Sequence, residues 1–307
     1  MRSWADLAAQ SYEHMAKRTQ RFSIYKIHGH LGEGTPDYNE IARQIVRLDG
    51  RIHRSGNRVV AIGRTALVSG DDSTQRAWFV ACSGDVDRNV LFFDLNRFTE
   101  TSSLLESGRF VARKTRALFD PALRTLVIES GRGHLPAEEL AKIIEEALRE
   151  NPAYASLEVS FAPVAAPSFT AKLDRLARIQ SVSVSIARPN VDWSERYDQL
   201  AELADDSRAG AIEATVRARR SDGLSKTRGI IPNLKHWLSS GISSVSSARI
   251  KGALSGQSGL IELKLRDHVD TFTVTTEVNS ESGQPADSEM QSKLGAYMDQ
   301  RAETEES

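Results

Sequence analysis

The segment from Phe110 to Phe161 constrains the fold of this chain more than any other part of the sequence. Three strands are predicted there from β-rich or alternating runs, at Phe110–Phe119, Leu123–Glu129 and Leu157–Phe161. A helix is predicted from apolar residues at i, i+3, i+4, i+7 and i+8, which are Leu140, Ile143, Ile144, Ala147 and Leu148. We therefore predict a ββαβ unit, with the rest of the chain packed against it or built in the same style.

The remaining sequence also alternates short strands with helices and has no fixed-period repeat. Strand, helix and strand recur between Phe169 and Arg217, which favours an α+β fold with helices packed on mixed or antiparallel sheets. We predict two lobes and three regions: an N-terminal α+β region at 1–108, a central ββαβ-type region at 109–220, and a C-terminal region at 221–307 that has a basic segment, strands and a closing helix.

Composition narrows the class of protein. Lysine and arginine number 40 and aspartate and glutamate 41, so the overall charge indicates no polyanionic partner and any such signal is local. Cys82 is the single cysteine, which excludes an intrachain disulfide framework and fits a reducing compartment. No apolar run approaches the roughly 20 residues of a membrane helix, and the first residues lack the apolar core of a secretory signal. We predict a cytoplasmic protein.

A local excess of positive charge lies between Ser207 and Lys251, where only Glu213 and Asp222 oppose the basic residues. The positions predicted to contact DNA in this segment are Arg217, Arg219, Arg220, Lys226, Arg228, Lys235, Arg249 and Lys251. Such a segment binds phosphate backbones through counterion release and needs no sequence-reading helix. Trp237 offers a stacking group nearby. The alternative interpretation is a solvated basic surface without a partner.

A second, smaller basic cluster consists of Arg113, Lys114 and Arg116 on the first strand of the ββαβ unit. Strand residues two positions apart project from the same face of a sheet. We predict that these three residues also contact DNA and form the second wall of a phosphate-binding groove.

Patterns that would indicate an enzyme are few. Glu262-Leu-Lys264 is similar to the core of restriction-type nucleases, in which the acid binds a divalent metal and the lysine polarises water or phosphate. That chemistry also needs an upstream metal-binding aspartate, and none follows a predicted strand convincingly. His28 and His30 offer two imidazoles with only His53 as a further ligand, which favours ordinary turn-flanking histidines. We predict no catalytic residue, no metal and no cofactor.

The order of elements resembles that of RexA-type phage-exclusion proteins and their prophage-encoded relatives. The resemblance rests on Ala112-Arg113-Lys114-Thr115, on Leu118-Phe119-Asp120-Pro121 and on the Ser280–Gln284 turn before a closing helix. It runs from about Ala61 to Arg301. It implies a cytoplasmic sensor that binds DNA with little sequence preference, forms a homodimer and acts with a membrane protein encoded beside it to abort phage growth.

Three hypotheses about function follow. The leading hypothesis is a sequence-nonspecific DNA-binding sensor of a phage-exclusion, or abortive-infection, defence system. The second is a metal-dependent nuclease that uses Glu262 and Lys264. The third is a non-catalytic protein-interaction module of a defence or toxin–antitoxin pair, with the strands from Arg249 to Val278 as a pairing edge.

Overall fold

The computed structural model describes residues 17–32, 34–69, 75–86, 89–94, 99–105, 109–187, 211–219, 223–239, 245–257, 259–278 and 285–306. The strands are β1 Lys17–Leu31, β2 Ile52–Ser55, β3 Arg58–Ser69, β4 Gln75–Asp85, β5 Asn89–Asp94, β6 Thr99–Leu104, β7 Arg113–Asp120, β8 Thr125–Ser130, β9 Leu157–Pro163, β10 Leu176–Ala187, β11 Ala211–Arg217, β12 Val245–Leu254, β13 Ile261–Lys264 and β14 Thr271–Glu277. The helices are α1 Tyr38–Val46, α2 Ala137–Arg149, α3 Pro167–Arg175, α4 Ile230–Ser239 and α5 Asp287–Glu306. The α+β fold with antiparallel sheets is confirmed.

The larger sheet has eight strands in the order β14-β1-β8-β7-β4-β3-β2, with β9 also paired to β1. The long strand β1 pairs with two different strands along the same edge. Its first part, Lys17–Ser23, pairs with β14, and its second part, Tyr25–Leu31, pairs with β9. Strand β8 occupies its other edge. The sheet thus takes strands from all three predicted regions, 1–108, 109–220 and 221–307, so those regions do not correspond to separate sheets.

Each face of the larger sheet is covered by helices. On β4, Trp78 and Val80 belong to one core and Phe79 to the other, as the two-residue period of a strand requires. Helices α1 and α2 cover the Phe79 face, and α5 covers the Trp78 face. The side chains of α5 in this core are Met290, Leu294 and Met298.

The predicted ββαβ unit is confirmed as β7, β8, α2 and β9. Helix α2 buries the predicted apolar positions Leu140, Ile143, Ile144 and Leu148. Strand β9 pairs with β1 and not with its neighbours in the unit, β7 and β8. The unit is therefore completed by the strand that opens the described part of the chain.

The smaller sheet has the order β11-β10-β12-β13, and all its pairs are antiparallel. Helices α3 and α4 pack on its inner face, where their residues join one core with Val182, Val184 and Ile250. Where the chain passes between the two sheets, the linker residues Val164 and Asp270 are held against the larger sheet, because Val164 N donates to Ile24 O of β1 at 3.0 Å and Asp270 N donates to Val164 O at 2.7 Å. The core of the smaller sheet is separate from the two cores of the larger sheet, in agreement with the two predicted lobes.

A cluster of charged groups fixes the first turn of α5 to the larger sheet. The carboxylate of Asp287 accepts hydrogen bonds from Lys114 Nζ at 2.8 Å, Arg116 Nε at 2.9 Å and Arg64 Nη1 at 2.6 Å. Arg116 also pairs with Glu129 at 3.1 Å. Burial alone would raise the pKa of Asp287, but the hydrogen bonds from Lys114, Arg64 and Arg116 outweigh burial and lower it to about 2.

A second charged group holds α5 further along its length. Arg76 of β4 pairs with Asp120 at 2.6 Å and with Asp299 of α5 at 2.7 Å. Its guanidinium also donates to the carbonyl of Gly295 at 3.3 Å. The side chains of Arg76 and Asp120 are only 5% and 1% exposed, so this pair is part of the interior.

Within the described ranges, no helix is both long and apolar enough to cross a membrane.

Candidate functional site

The outer face of the smaller sheet, which we define as the face opposite α3 and α4, is the strongest candidate site. On β10, Val182 and Val184 are buried in the inner core, so the alternate residues Ser181, Ser183 and Ser185 lie on the outer face. Cross-strand neighbours in an antiparallel sheet point to the same side. The strand register therefore determines which side chains of β11, β12 and β13 join these serines.

A first row of side chains crosses this face at Ser181. It has Arg217 of β11 on one side and Lys251 of β12 on the other, and Lys251 is in turn opposite Glu262 of β13. Arg217 and Lys251 are both exposed. The row thus presents two cations that flank a hydroxyl group.

The second row crosses at Ser183. Here Thr215 of β11 is the neighbour on one side and Arg249 of β12 the neighbour on the other, with Lys264 of β13 opposite Arg249. Thr215 Oγ1 donates a hydrogen bond to Ser183 Oγ at 2.9 Å. Because the Ser183 oxygen already accepts this bond, its own proton is available for an incoming acceptor beside Arg249.

Glu262 is the one carboxylate among three cations at this corner of the described sheet. Lys264 Nζ lies 2.9 Å from Glu262 Oε2, and Lys251 Nζ lies 4.0 Å from Glu262 Oε1. The hydrogen bond from Lys264 and the nearby charges of Lys264, Lys251 and Arg249 lower the pKa of Glu262, which is therefore ionised at neutral pH. Three cations and one carboxylate leave two positive charges unbalanced.

The stability of the folded sheet does not explain why Arg249 lies directly opposite Lys264. Like charges at directly opposite positions of an antiparallel pair destabilise a sheet. Neither Arg249 nor Arg217 has an ion-pair partner among the residues that the structure describes. An anion bound on the outer face would relieve this repulsion, so the arrangement fits a phosphate-binding surface.

Other basic residues of the predicted DNA-binding segment lie elsewhere. Lys226 Nζ donates to the carbonyl of Asp174 at 3.0 Å, and Lys235 pairs with the carboxylate of Asp174 on α3. These two lysines are on the helical side of the smaller sheet, away from the outer face. The remaining positions are Arg219 and Arg228, which are exposed, and Arg220, which lies outside the described residues. Trp237 is only 5% exposed and belongs to the core, so its predicted role in stacking is wrong.

The predicted second wall of a phosphate groove is not formed by β7. Arg116 is 1% exposed and paired with Glu129 and Asp287, so the prediction that it contacts DNA is wrong. Lys114 is half-buried and also bound to Asp287. Arg113 is exposed, and its guanidinium lies against Gly133, but β7 belongs to the larger sheet while Arg217 and Arg249 belong to the smaller one.

The patterns weighed for metal chemistry do not form a metal site in the described ranges, where no group of three or more histidine, cysteine, aspartate or glutamate residues is arranged to hold an ion. Glu213 and Glu262 are three strands apart and four residues apart along the strand direction, which places their Cβ atoms about 20 Å from each other. His28 and His30 are buried on β1, opposite Ser160 and Glu158 of β9.

The sequence interpretation missed Lys264 and the serines of β10 as members of one surface. A signal was present, since Ser181-Val-Ser183-Val-Ser185-Ile alternates hydroxyl and apolar residues. That pattern predicts a strand with one polar face.

Fold and site together define an α+β protein with antiparallel sheets and an open, basic sheet face. The chain belongs to the DUF4747 family, a domain of unknown function, whose family model matches residues 18–254. The match extends from β1 to the end of β12 and contains Arg217, Arg249 and Lys251. No curated protein matches the chain.

Proposed function

We propose that this protein binds DNA without sequence preference through the outer face of the smaller sheet. The observation that carries the proposal is the register that places Arg217, Lys251, Arg249 and Lys264 around the hydroxyls of Ser181 and Ser183. Arginine, lysine and hydroxyl side chains are the usual donors to phosphate oxygens. Contacts with phosphate oxygens carry no sequence information, so a surface that binds through them discriminates little between DNA sequences.

The biological setting in this proposal is a phage-exclusion defence system in which the protein acts as the sensor. This setting, together with a homodimer and a membrane partner encoded nearby, is what the resemblance of the sequence to RexA-type proteins implies. A multi-span membrane protein in the adjacent reading frame would strengthen it.

The binding surface is tested with the double variant Arg249→Gln/Lys251→Gln, measured by fluorescence anisotropy on two unrelated duplexes across a series of salt concentrations. We expect similar affinities for both duplexes in the wild type. In the variant, the slope of log affinity against log salt falls by about 1.8, at roughly 0.9 for each phosphate that the protein no longer neutralises.

The matched control is Arg54→Gln/Lys142→Gln, which removes the same charge from exposed positions on β2 and α2 of the larger lobe. Its affinity and salt slope should equal those of the wild type. Equal binding by the outer-face variant and the control would refute the site assignment.

Glu262→Gln separates DNA binding from the nuclease hypothesis. In a DNA-binding surface, loss of the carboxylate frees Lys251 and Lys264, so affinity should rise several-fold at low salt. A nuclease would instead cleave plasmid DNA with magnesium or manganese and lose that cleavage in the variant. Cleavage that depends on Glu262 would overturn the proposal.

A further inference from the structure

A groove of about 340 Å³ lies at the other end of the outer face. Its polar lining consists of Ser183, Ser185, Glu213, Thr215, Ser247 and Arg249. This volume is at the small end of the range of about 300–1,000 Å³ for ligand sites in proteins. The groove therefore has room for a small polar molecule, and its two ends differ in charge.

Glu213 gives the groove an acidic end. It is opposite Ser185 of β10, which is opposite Ser247 of β12, so these three side chains form a third row across the outer face. Glu213 is exposed and has no ion-pair partner within the described ranges. A carboxylate here repels phosphate, so a bare polyanion backbone is a poor ligand for this end of the groove.

Arg249 gives the groove a basic end, in the adjacent row and two strands away from Glu213. With about 4.8 Å between strands and about 6.7 Å for two residues along a strand, their Cβ atoms are about 12 Å apart. Since both side chains line the groove, they bracket a ligand that carries an anion at one end and hydroxyl donors at the other.

Hydroxyl groups between the two ends are oriented to take part. Ser183 accepts a hydrogen bond from Thr215 and keeps its proton for the anion beside Arg249. Ser246 Oγ lies 3.2 Å from both the backbone oxygen and Oγ of Ser185, and its single proton is shared between these two acceptors. The groove thus offers donors at its centre and an acceptor at its acidic end.

We propose that this groove binds a free ribonucleotide by its ribose phosphate. The phosphate lies at Arg249 and Ser183, and the carboxylate of Glu213 accepts hydrogen bonds from the ribose hydroxyls, a mode of recognition that acidic residues use in nucleotide sites. DNA lacks the 2′-hydroxyl that this end recognises, so the inference goes beyond DNA binding. The site shares Arg249 with the proposed DNA surface but does not require that surface to bind DNA.

The test is isothermal titration calorimetry of the full chain with a ribonucleoside 5′-monophosphate and with its 2′-deoxy counterpart. We expect the ribo form to bind roughly tenfold or more tightly, as loss of a hydrogen bond to a charged group implies. Glu213→Gln should remove this preference, so that the ribo and deoxy forms bind equally, whereas Arg249→Gln should weaken both. Equal binding of the two forms by the wild type, or a preference that survives in Glu213→Gln, would overturn the proposal.

Two further measurements distinguish binding of a free nucleotide from binding of RNA and from binding of DNA on the rest of the outer face. A short RNA of the same base that binds in a Glu213-dependent way, when the free nucleotide does not, would assign the site to RNA and overturn the free-nucleotide proposal. Arg217→Gln/Lys251→Gln changes residues outside the groove, so nucleotide binding should persist there even if DNA binding is abolished. Loss of nucleotide binding in that variant would count against the groove.

Discussion

Replacing Arg76 by alanine is expected to lower the free energy of unfolding by about 3 to 5 kcal/mol, because the change leaves a buried carboxylate without its partner. Arg76 pairs with Asp120 at 2.6 Å, and both side chains are almost completely buried. It also holds Asp299 of α5 at 2.7 Å, so the variant weakens the attachment of that helix. Urea unfolding followed by circular dichroism measures the loss.

The matched control for this experiment is Arg58→Ala. Arg58 makes an ion pair with Glu139 at the same distance, 2.6 Å, but the two side chains are 39% and 32% exposed. A surface pair of this kind contributes about 0 to 1 kcal/mol. Equal losses in Arg76→Ala and Arg58→Ala would show that burial of the first pair has no energetic consequence.

A double variant isolates the interaction itself. In Arg76→Met/Asp120→Asn both charges are removed, and the asparagine oxygen keeps the acceptor that Leu123 N uses at 3.0 Å. We expect this double variant to lose less stability than the sum of the two single variants, since neither charge is left alone.

Replacing Asp287 by alanine is expected to lower the free energy of unfolding by about 2 to 3 kcal/mol through loss of hydrogen bonds to charged donors. The carboxylate is bound by Lys114, Arg116 and Arg64, and it lies in the first turn of α5, where the helix dipole favours a negative charge. Hydrogen exchange should show the largest change in the first turns of α5. Protection of that segment at wild-type level would contradict the role assigned to Asp287.

The same carboxylate predicts an acid dependence of stability. Its pKa is lowered from 3.8 to about 2 in the folded protein, so the folded state binds the proton more weakly than the unfolded state. Its stabilising contribution is therefore complete above about pH 4 and is lost as the pH falls towards 2. Asp287→Ala should lack this part of the pH profile, whereas Asp267→Ala, which changes a side chain that is 60% exposed, should keep it.

The elements of the fold were largely predictable from local patterns, but their pairing was not. Alternation and helical spacing identify β7, β8, α2 and β9 because each pattern lies within a few residues. The pairing of β9 and β14 with β1 depends on contacts between distant parts of the chain, such as Lys17 with Glu277. No periodicity within a strand reports which strand will be its neighbour.

The same distinction between local sequence patterns and long-range strand pairing applies to the candidate site. A linear run of basic residues correctly drew attention to Arg217, Arg249 and Lys251, but the sheet register separates them from Lys226 and Lys235. The register also adds the serines of β10 to the candidate site. These side chains are uncharged, so a count of charged residues does not identify them. Arg116 is hidden by α5, whose Asp287 lies 171 positions along the chain from it.

The arrangement around β1 has a consequence for how the chain reaches its folded state during synthesis. β1 is completed early, yet its partner β14 ends at Glu277, which is 260 positions beyond Lys17 (277 minus 17). Loop closure over such a distance is entropically costly and makes assembly slow. On the ribosome, the edge of β1 that β14 will cover stays open until about 250 further residues have been synthesised. The larger sheet therefore closes late, and the nascent chain passes through a stage in which this edge is free to pair wrongly.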